Sequence, residues 1–279
     1  TFKAMVEVNN PNKEDDRFPT QYEHLFNQTI RAATHQLNKS WVLSAFRDNA
    51  GIIEFGEQHE LSFKVETHNH PSAIEPFGGA NTGIGGVIRD VIGVSAKPIA
   101  ATNILCFGPQ DQSIDTLPDG VLHPRRIASG VVSGIQDYGN KMGIPTVNGA
   151  IYYDPGYTAN PLVFCGCIGL APRDSHPRDV QPGDYIIVLG GKTGRDGLRG
   201  ATFSSMTMDA QTGEVSGASV QIGAPIVEKG LVDVLMEARD QQLYHAITDC
   251  GAGGLSSAVG EMASECGGEV QLADVPLKY

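Results

Sequence analysis

The sequence predicts an α/β protein in which helices pack on a mostly antiparallel sheet. Three observations support this fold class: short apolar segments of strand length, segments with the 3.6-residue period of an amphipathic helix, and a high content of glycine, 34 residues. The chain has 279 residues, which is enough for one large or two ordinary domains. With 41% hydrophobic and 19% charged residues, its composition is typical of a soluble globular protein.

The first part of the chain alternates predicted strands and helices. Apolar residues at helical spacing predict a helix over residues 123–142, and Gly143 stands where a helix-terminating glycine belongs. A similar period predicts a helix over 19–39. Apolar segments predict an edge strand and four core strands, in this order: 2–8, 49–55, 61–70, 98–108 and 161–170. These elements form a predicted domain with a four-stranded sheet.

A polar segment with two prolines, residues 171–178, predicts a boundary between two domains. We therefore expect domains at residues 1–171 and 179–279. The second domain has predicted strands and helices at 184–189, 224–241, 243–248 and 255–265. Because few residues follow the boundary and the last strand has no visible closure, we expect this second α/β domain to be truncated.

Charge and cysteine content exclude several classes of protein. The net charge is −12 and no run of Lys or Arg exceeds two residues, which argues against nucleic-acid binding. No apolar stretch is long enough to span a membrane, and the first residues lack a signal-peptide pattern. The five cysteines form no Cys-x-x-Cys pair, and an odd number does not suit a disulfide framework. These features predict a cytoplasmic protein.

One short segment concentrates chemically active side chains. Apolar and polar residues alternate from residue 61 onward, which predicts a strand. Residues two apart in a strand share a face, so Lys64, Glu66, His68 and His70 are expected on one side of it. A basic group, a carboxylate and two imidazoles on one face indicate a functional site rather than a core.

Five glycines over residues 78–86 predict a loop, with a helical turn following at 87–92. Glycines that lead into a helix leave backbone N–H groups free to hold an anion, so a phosphate- or nucleotide-binding loop is one interpretation. A tight structural turn is the other. No Gly-Lys-Ser/Thr sequence closes the run, so it is not a Walker A loop.

A metal site is an alternative interpretation of the same residues. Alternate strand positions can chelate one ion, so His68, His70 and Glu66 could bind Zn²⁺, with Asp90 completing the site. Asp90 could instead pair with its neighbour Arg89. Asp249 follows a predicted strand and precedes a glycine turn and a helix. In α/β folds such a position holds ligand-binding groups, although the carboxylate could also simply cap the helix.

Several longer motifs, in their order along the chain, identify a family. They are KVETHNHPSAIEP at 64–76, GANTGIGGVIRD at 79–90, GRDGLRGATF at 194–203, VQIG at 220–223 and TDCGAGGL at 248–255. Together they resemble phosphoribosylformylglycinamidine synthase, the ATP-dependent amidotransferase of purine biosynthesis in the AIR synthase-like superfamily. The resemblance implies an AIR synthase-like N-terminal domain followed by an AIR synthase-like C-terminal domain, here incomplete.

The resemblance implies a C–N ligase with ATP and Mg²⁺ as cofactors. ATP phosphorylates the amide oxygen of formylglycinamide ribonucleotide, and ammonia derived from glutamine displaces the phosphate to give formylglycinamidine ribonucleotide. A glutaminase subunit or domain supplies the ammonia. First domains of this family pair into a barrel-like sheet, so a dimer or an intramolecular pseudo-dimer is expected.

The resemblance also assigns roles to individual residues. His68 is the implied catalytic base, and Lys64 is the implied ATP contact. An imidazole that titrates near neutral pH suits proton removal from ammonia. The implied substrate-binding residues are Thr67, Asn69, His70, Arg89 and Gln221. The implied Mg²⁺ ligands are Glu66, Asp90 and Asp249.

The chain departs from the family pattern at two places. It begins at Thr1, where the family has a preceding Ser-Glu-His-Cys segment, and it has Ala224 where the family often has Asp. We therefore expect a fragment of the synthase, and its activity in isolation stays open. Two alternatives remain: a non-catalytic, nucleotide-binding half of a tandem synthase, and a zinc-dependent hydrolase that uses His68 and His70.

Overall fold

The computed structural model describes residues 27–195, 200–204, 206–212, 220–221, 223–251 and 253–278. The strand predicted at 2–8 and the first part of the helix predicted at 19–39 lie outside these residues. The described remainder of that helix is helical: a π-helical turn spans Asn27–Arg31, and α1 spans Ala32–Leu37. None of the described helices combines the length and the apolar character that crossing a bilayer requires.

Six strands form one sheet: β1 Val42–Ser44, β2 Gly51–Phe55, β3 His59–Thr67, β4 Lys97–Phe107, β5 Thr146–Tyr153 and β6 Leu162–Pro172. Their order across the sheet is β1-β2-β3-β6-β4-β5. β4 and β5 pair in parallel, and the other neighbouring pairs are antiparallel. This confirms the predicted fold class, an α/β protein with a mostly antiparallel sheet.

The sheet has six strands instead of the predicted four. The four predicted core strands correspond to β2, β3, β4 and β6, while β1 and β5 were not predicted. β1 has only three residues, too few for a recognisable pattern. All eight residues of β5 are exposed, so it lacks the alternation of buried and exposed positions on which strand prediction depends. β5 is an edge strand whose single neighbour in the sheet is β4.

Helices cover one face of the sheet. α2 spans Asn69–Ile74, α3 spans Pro76–Ile92 and α4 spans Pro124–Met142. α4 confirms the helix predicted over 123–142, and it ends at Gly143, whose φ of 70° is left-handed as a terminating glycine requires. The core between the helices and the sheet is apolar and includes Ile84, Val87, Ile88, Val91, Val131 and Val163.

The glycine-rich segment 78–86 is not a loop, which corrects the sequence prediction. It lies inside α3, where the missing side chains let neighbouring elements approach the helix closely. A Cβ on Gly79 would stand 2.7 Å from the Cα of Ser72, and a Cβ on Gly85 would stand 2.6 Å from the ring of Tyr138. Contacts this short are not tolerated in a close-packed interior. The glycines therefore serve the packing of α3 against α2 and α4, and they do not form a phosphate loop.

The C-terminal region, residues 179–278, contains α5 (Gly200–Phe203), α6 (Pro225–Asp240) and α7 (Leu255–Met262). α6 and α7 confirm the helices predicted at 224–241 and 255–265. A 3₁₀ turn lies in this region at Leu272–Asp274, and two others lie earlier in the chain, at Ile114–Thr116 and Pro155–Tyr157.

The strands predicted at 184–189 and 243–248 are not strands in the structure. Tyr185, in the first of these segments, is 93% exposed. A strand needs a hydrogen-bonded partner to be stable. Among the described residues of the C-terminal region, the only β pairing is a single bridge between Thr193 and Leu277. Apolar composition alone therefore predicted strands that lack a neighbour to pair with.

Candidate active site

Polar residues near the end of β3 face the helix-covered side of the sheet. Across the sheet, Lys64 is opposite Cys167 and Glu66 is opposite Cys165, and both cysteines are fully buried. Burial raises the pKa of each thiol to about 12, so both are neutral at physiological pH. Lys64 and Glu66 share one face as predicted, with 3.4 Å between Lys64 Nζ and Glu66 Oε1.

α3 supplies a second carboxylate. The Nζ of Lys64 lies 3.3 Å from Oδ1 of Asp90, so the ammonium sits between two acids. Burial lowers the pKa of Lys64, but the carboxylates of Asp90 and Glu66 outweigh burial and the net pKa is raised. Burial raises the pKa of Asp90 to about 7; the nearby charge of Asp249 adds to the rise, and Lys64 opposes it. Lys64 is thus a fixed cation in a site with excess negative charge.

Two acids of the C-terminal region reach the same place and flank Arg89 of α3. The Nε of Arg89 lies 3.9 Å from Oδ2 of Asp249, and its NH1 lies 3.9 Å from Oε2 of Glu228. Burial raises the pKa of Asp249 and raises that of Glu228 to about 7, and in each case the Arg89 guanidinium opposes the rise. Arg89 is the cation that links α3 to the C-terminal region.

His68 lies between β3 and α2, with its imidazole directed toward Glu66. The distance from His68 Nε2 to Glu66 Oε2 is 3.9 Å. Burial lowers the pKa of His68; Glu66 acts against this shift, and the positive charge of Arg89 acts with it. Within the described part of the chain, the buried Nδ1 has no hydrogen-bond partner. A neutral imidazole of this kind is able to accept a proton.

Two glycines bring the backbone of α3 up to this cluster. A Cβ on Gly83 would stand 3.2 Å from the Cβ of His68, and a Cβ on Gly86 would stand 3.3 Å from Oε2 of Glu66. Both distances are tighter than ordinary van der Waals contact. The glycine run therefore contributes to the site by allowing close approach of the helix.

The strand pattern predicted His70 on the same face as Lys64, but the structure places it elsewhere. β3 ends at Thr67 and α2 begins two residues later, so the chain turns before it reaches His70. The Nε2 of His70 lies 2.9 Å from the carbonyl oxygen of Met206, and its ring packs edge-on against Phe203 at a centroid distance of 5.7 Å. The contacts of His70 are with the C-terminal region and not with the charged cluster.

The other predicted substrate-binding residues surround the cluster. Thr67 is exposed at the end of β3. The side-chain oxygen of Asn69 accepts a hydrogen bond of 2.8 Å from the backbone N–H of Val163, which ties the start of α2 to β6. The backbone carbonyl of Gln221 accepts a hydrogen bond of 2.9 Å from the hydroxyl of Thr82 in α3. The roles of these residues toward a substrate stay predictions.

The sequence analysis missed Glu228 and Tyr138 as neighbours of the site. Glu228 lies in the first turn of α6 and is only 5% exposed, and the hydroxyl of Tyr138 donates a hydrogen bond to its carboxylate. An acid in the first turn of a helix is common because it complements the helix dipole. Tyr138 lies on the apolar face of α4, so it carried no distinctive signal.

The donor chemistry of the cluster fits Mg²⁺. This ion is commonly held by one or two carboxylates together with substrate phosphates, and Glu66, Asp90 and Asp249 supply such groups. Burial, with a smaller contribution from neighbouring carboxylates, raises the pKa of Asp90 and Asp249, and a bound cation would stabilise their charged forms. Among the described residues, no group of three or more His, Cys, Asp and Glu side chains is arranged to hold a metal by itself. For Zn²⁺, His68 and His70 do not face a common point, because their side-chain partners differ.

Two family models match the chain. The model described as AIR synthase related protein, N-terminal domain, matches residues 47–171, and the one described as AIR synthase related protein, C-terminal domain, matches residues 181–279. Together they cover β2 to β5 and nearly all of β6, the helices α2 to α4, and the C-terminal region from residue 181 onward.

Named relatives are consistent with these matches. The phosphoribosylformylglycinamidine synthase subunit PurL of Thermoplasma acidophilum is 45% identical over 246 residues, which cover 87% of this chain and 32% of the relative. The corresponding subunit of Picrophilus torridus is 46% identical over the same shares of both chains. The chain thus spans about a third of the length of the curated relatives it matches, 32% in both cases.

Solved structures agree with the sequence relatives. T. maritima PurL complexed with FGAR is 36% identical, with a TM-score of 0.70 over 89% of this chain and 39% of that one. T. maritima PurL complexed with ATP is 32% identical, with a TM-score of 0.66 over 91% and 37%. The chain therefore belongs to the AIR synthase related proteins, in the group of phosphoribosylformylglycinamidine synthase PurL subunits.

Proposed function

We propose that this chain supplies part of the active site that makes formylglycinamidine ribonucleotide in de novo purine biosynthesis. The observation that carries the proposal is the convergence of β3, α3 and Asp249 on one charged cluster, with ion pairs of 3.3 to 3.9 Å. Two related structures, T. maritima PurL complexed with FGAR and T. maritima PurL complexed with ATP, support the same two substrates here.

The cluster offers what phosphoryl transfer to an amide oxygen needs, namely fixed positive charge and precise placement of the reactants. Lys64 is held as a cation between Asp90 and Glu66, and it is the proposed ATP contact. Arg89, which is 29% exposed at its side chain, is the proposed ribonucleotide contact. Further substrate contacts are proposed for Thr67, Asn69, His70 and Gln221.

His68 is the proposed general base for the second step. Ammonia attacks the amide carbon after ATP has phosphorylated the amide oxygen, so a C–N bond forms and the C–O bond to phosphate breaks. Phosphate leaves with the electron pair of that bond, and the imidazole takes a proton from the attacking nitrogen. The lowered pKa of His68 keeps it in the neutral form that this role requires.

Mg²⁺ is the proposed metal, with Glu66, Asp90 and Asp249 as the residues that would hold it. When bound, the ion neutralises charge on the transferred phosphoryl group. The chain's own contribution is to keep Glu66 and Asp90 close to Lys64 and Asp249 close to Arg89, because the cations lower the cost of placing the carboxylates together.

The exposed face of the sheet supports pairing with a second domain of the same kind. On the side away from the helices, large apolar residues are exposed, among them Ile53, Phe55, Phe63 and Ile104. Several large apolar residues exposed on one face are typical of an interface. We propose a dimer or an intramolecular pseudo-dimer. The proposed source of ammonia is a glutaminase subunit or domain, and the proposed location is the cytoplasm.

The decisive assay measures ADP release with ATP, Mg²⁺, formylglycinamide ribonucleotide and ammonium. It is run on this chain alone and on the chain within a polypeptide of the length of its PurL relatives. Ribonucleotide-dependent ADP release by the longer polypeptide is the expected result. Tight nucleotide binding without turnover would instead favour the structural half of a tandem synthase. Activity that depends on tightly bound zinc would favour a hydrolase.

A further inference from the structure

Asn49 contacts the cluster although neither its sequence position nor the family resemblance singled it out. It lies two residues before β2, and its side-chain N–H donates a hydrogen bond of 2.9 Å to Oδ1 of Asp249. Its side-chain oxygen accepts a second hydrogen bond, of 3.2 Å, from the hydroxyl of Thr248. One amide therefore holds two consecutive residues of the C-terminal region.

Because of the first hydrogen bond, the two oxygens of the Asp249 carboxylate have different partners. Oδ1 is engaged by Asn49, and Oδ2 is turned toward Arg89 at 3.9 Å. A carboxylate held at one oxygen has a fixed orientation, and its other oxygen is presented to the centre of the cluster. Hydrogen-bond partners behind a ligating group often set its direction in this way.

The residue before Asn49 is held through its side chain. The preceding residue, Asp48, receives two hydrogen bonds from Arg178, of 2.8 and 2.7 Å. At the end of α3, Gly93 leaves room for the amide, because a Cβ there would stand 2.6 Å from the Nδ2 of Asn49. The same Cβ would stand 3.2 Å from the backbone nitrogen of Asp249. The absence of a side chain at Gly93 thus allows Asn49 and Asp249 to come into contact.

We propose that Asn49 is a positioning residue that orients the Asp249 carboxylate for a divalent cation accompanying a nucleoside triphosphate. The inference rests on the proposed function for the part that Asp249 plays, but it adds a residue and a contact to that function. Asn49 acts through Asp249 and needs no contact of its own with the reacting atoms.

The test is a calorimetric titration of Mg²⁺ in the presence of a non-hydrolysable ATP analogue. It uses the full-length protein, that is, the chain within a polypeptide of the length of its PurL relatives. Asn49→Ala should raise the Mg²⁺ concentration needed for half-maximal binding about tenfold, which is the low end of the effect of losing such a partner. Thr248→Val, which removes only the second hydrogen bond, should shift it in the same direction by less. Asn160→Ala, at an exposed asparagine, is the matched control and should change nothing.

A double-mutant cycle separates positioning from a general structural effect. If Asn49 acts through Asp249, then Asn49→Ala should add almost nothing to the loss already caused by Asp249→Asn. Additive losses, or unchanged Mg²⁺ dependence in Asn49→Ala and Thr248→Val, would overturn the inference. Because no ribonucleotide or turnover is involved, these results do not depend on amidine formation. Absence of Mg²⁺-dependent nucleotide binding in the unmodified protein would overturn the inference as well as the proposed function.

Discussion

The two halves of the candidate site are held in different ways. Lys64, Glu66 and Asp90 belong to the sheet and to the helix packed on it, and their ion pairs measure 3.3 and 3.4 Å. Asp249 and Glu228 come from the C-terminal region and meet Arg89 at 3.9 Å on each side. The first half is fixed by the register of the sheet and by the close packing of α3, whereas the second is joined to it by side-chain contacts.

This difference indicates which half is preorganised. The half that would bind ATP is supported by a continuous apolar core and by glycines that let α3 pack closely against its neighbours. The second half is held by side-chain hydrogen bonds: the hydroxyl of Thr82 donates to the carbonyl of Gln221, and the hydroxyl of Tyr138 donates to the carboxylate of Glu228. We therefore expect substitutions in the first half to act on chemistry and folding. Those in the second half should act on the way in which the two regions are joined.

The largest effect is expected at His68. His68→Ala should lower ribonucleotide-dependent ADP release about 10²- to 10⁴-fold in the full-length protein, because a general base contributes about that much. The fold should be kept, as judged by circular dichroism. His59→Ala, at an exposed histidine at the other end of β3, is the matched control and should retain activity. Full turnover in the His68 variant would contradict the base assignment.

The same substitution should have opposite effects on stability in the two regions. Gly79→Ala places a Cβ against the backbone of α2 and should lower the free energy of unfolding by about 1–3 kcal/mol. Gly230→Ala lies in α6, where a Cβ meets nothing within 4 Å, and should raise it by about 0.5–1 kcal/mol. Urea denaturation of both variants measures the contrast. Equal effects would show that the packing of α3 is no tighter than that of α6.

Sequence patterns predicted the sheet region well because its strands and helices bury regular faces. The alternation before Thr67 correctly placed Lys64 and Glu66 on one face, since β3 pairs with β6 along its whole length. The same pattern failed at His70, because the strand ends at Thr67 and a helix follows. Pro71, one residue further on, lies inside that helix.

Other features depended on contacts that sequence patterns do not encode. The glycines of α3 resembled a loop because glycine favours turns, and only the positions of Ser72 and Tyr138 explain why a helix contains them. Glu228 and Asn49 join the site through partners far away in sequence, Tyr138 and Asp249. The family resemblance brought Asp249 to the site, whereas residue spacing alone left it open as a helix cap.

A smaller effect is expected from Asp90 in the preorganised half. Asp90→Asn removes a proposed Mg²⁺ ligand and one of the two acids beside Lys64, so the affinity for Mg²⁺ with ATP should fall about tenfold. Calorimetric titration measures this affinity. Asp137→Asn, which removes an exposed pair with Lys141 on α4, is a matched control. Unchanged affinity in the Asp90 variant would remove it from the proposed metal site.

The last prediction concerns the pH dependence of stability, to which Glu228 in the second half contributes. Burial raises the pKa of Glu228 in the folded protein to about 7 from its ordinary value of 4.5, so the folded state binds more protons than the unfolded state between these pH values. Stability should therefore fall as the pH rises from about 4.5 to 7, with a contribution on the order of 1–3 kcal/mol.

Glu228→Gln cannot ionise, and its amide can still accept the hydrogen bond from Tyr138. Its urea midpoint should therefore decline less than that of the unmodified protein over this pH range. The decline should not vanish, because burial raises the pKa of Asp90 as well. Glu237→Gln, at an exposed acid of α6, is the control and should leave the slope unchanged. Equal slopes in the Glu228 variant and the unmodified protein would mean that Glu228 is solvated when folded, and that the two halves meet less closely than the contacts of Arg89 indicate.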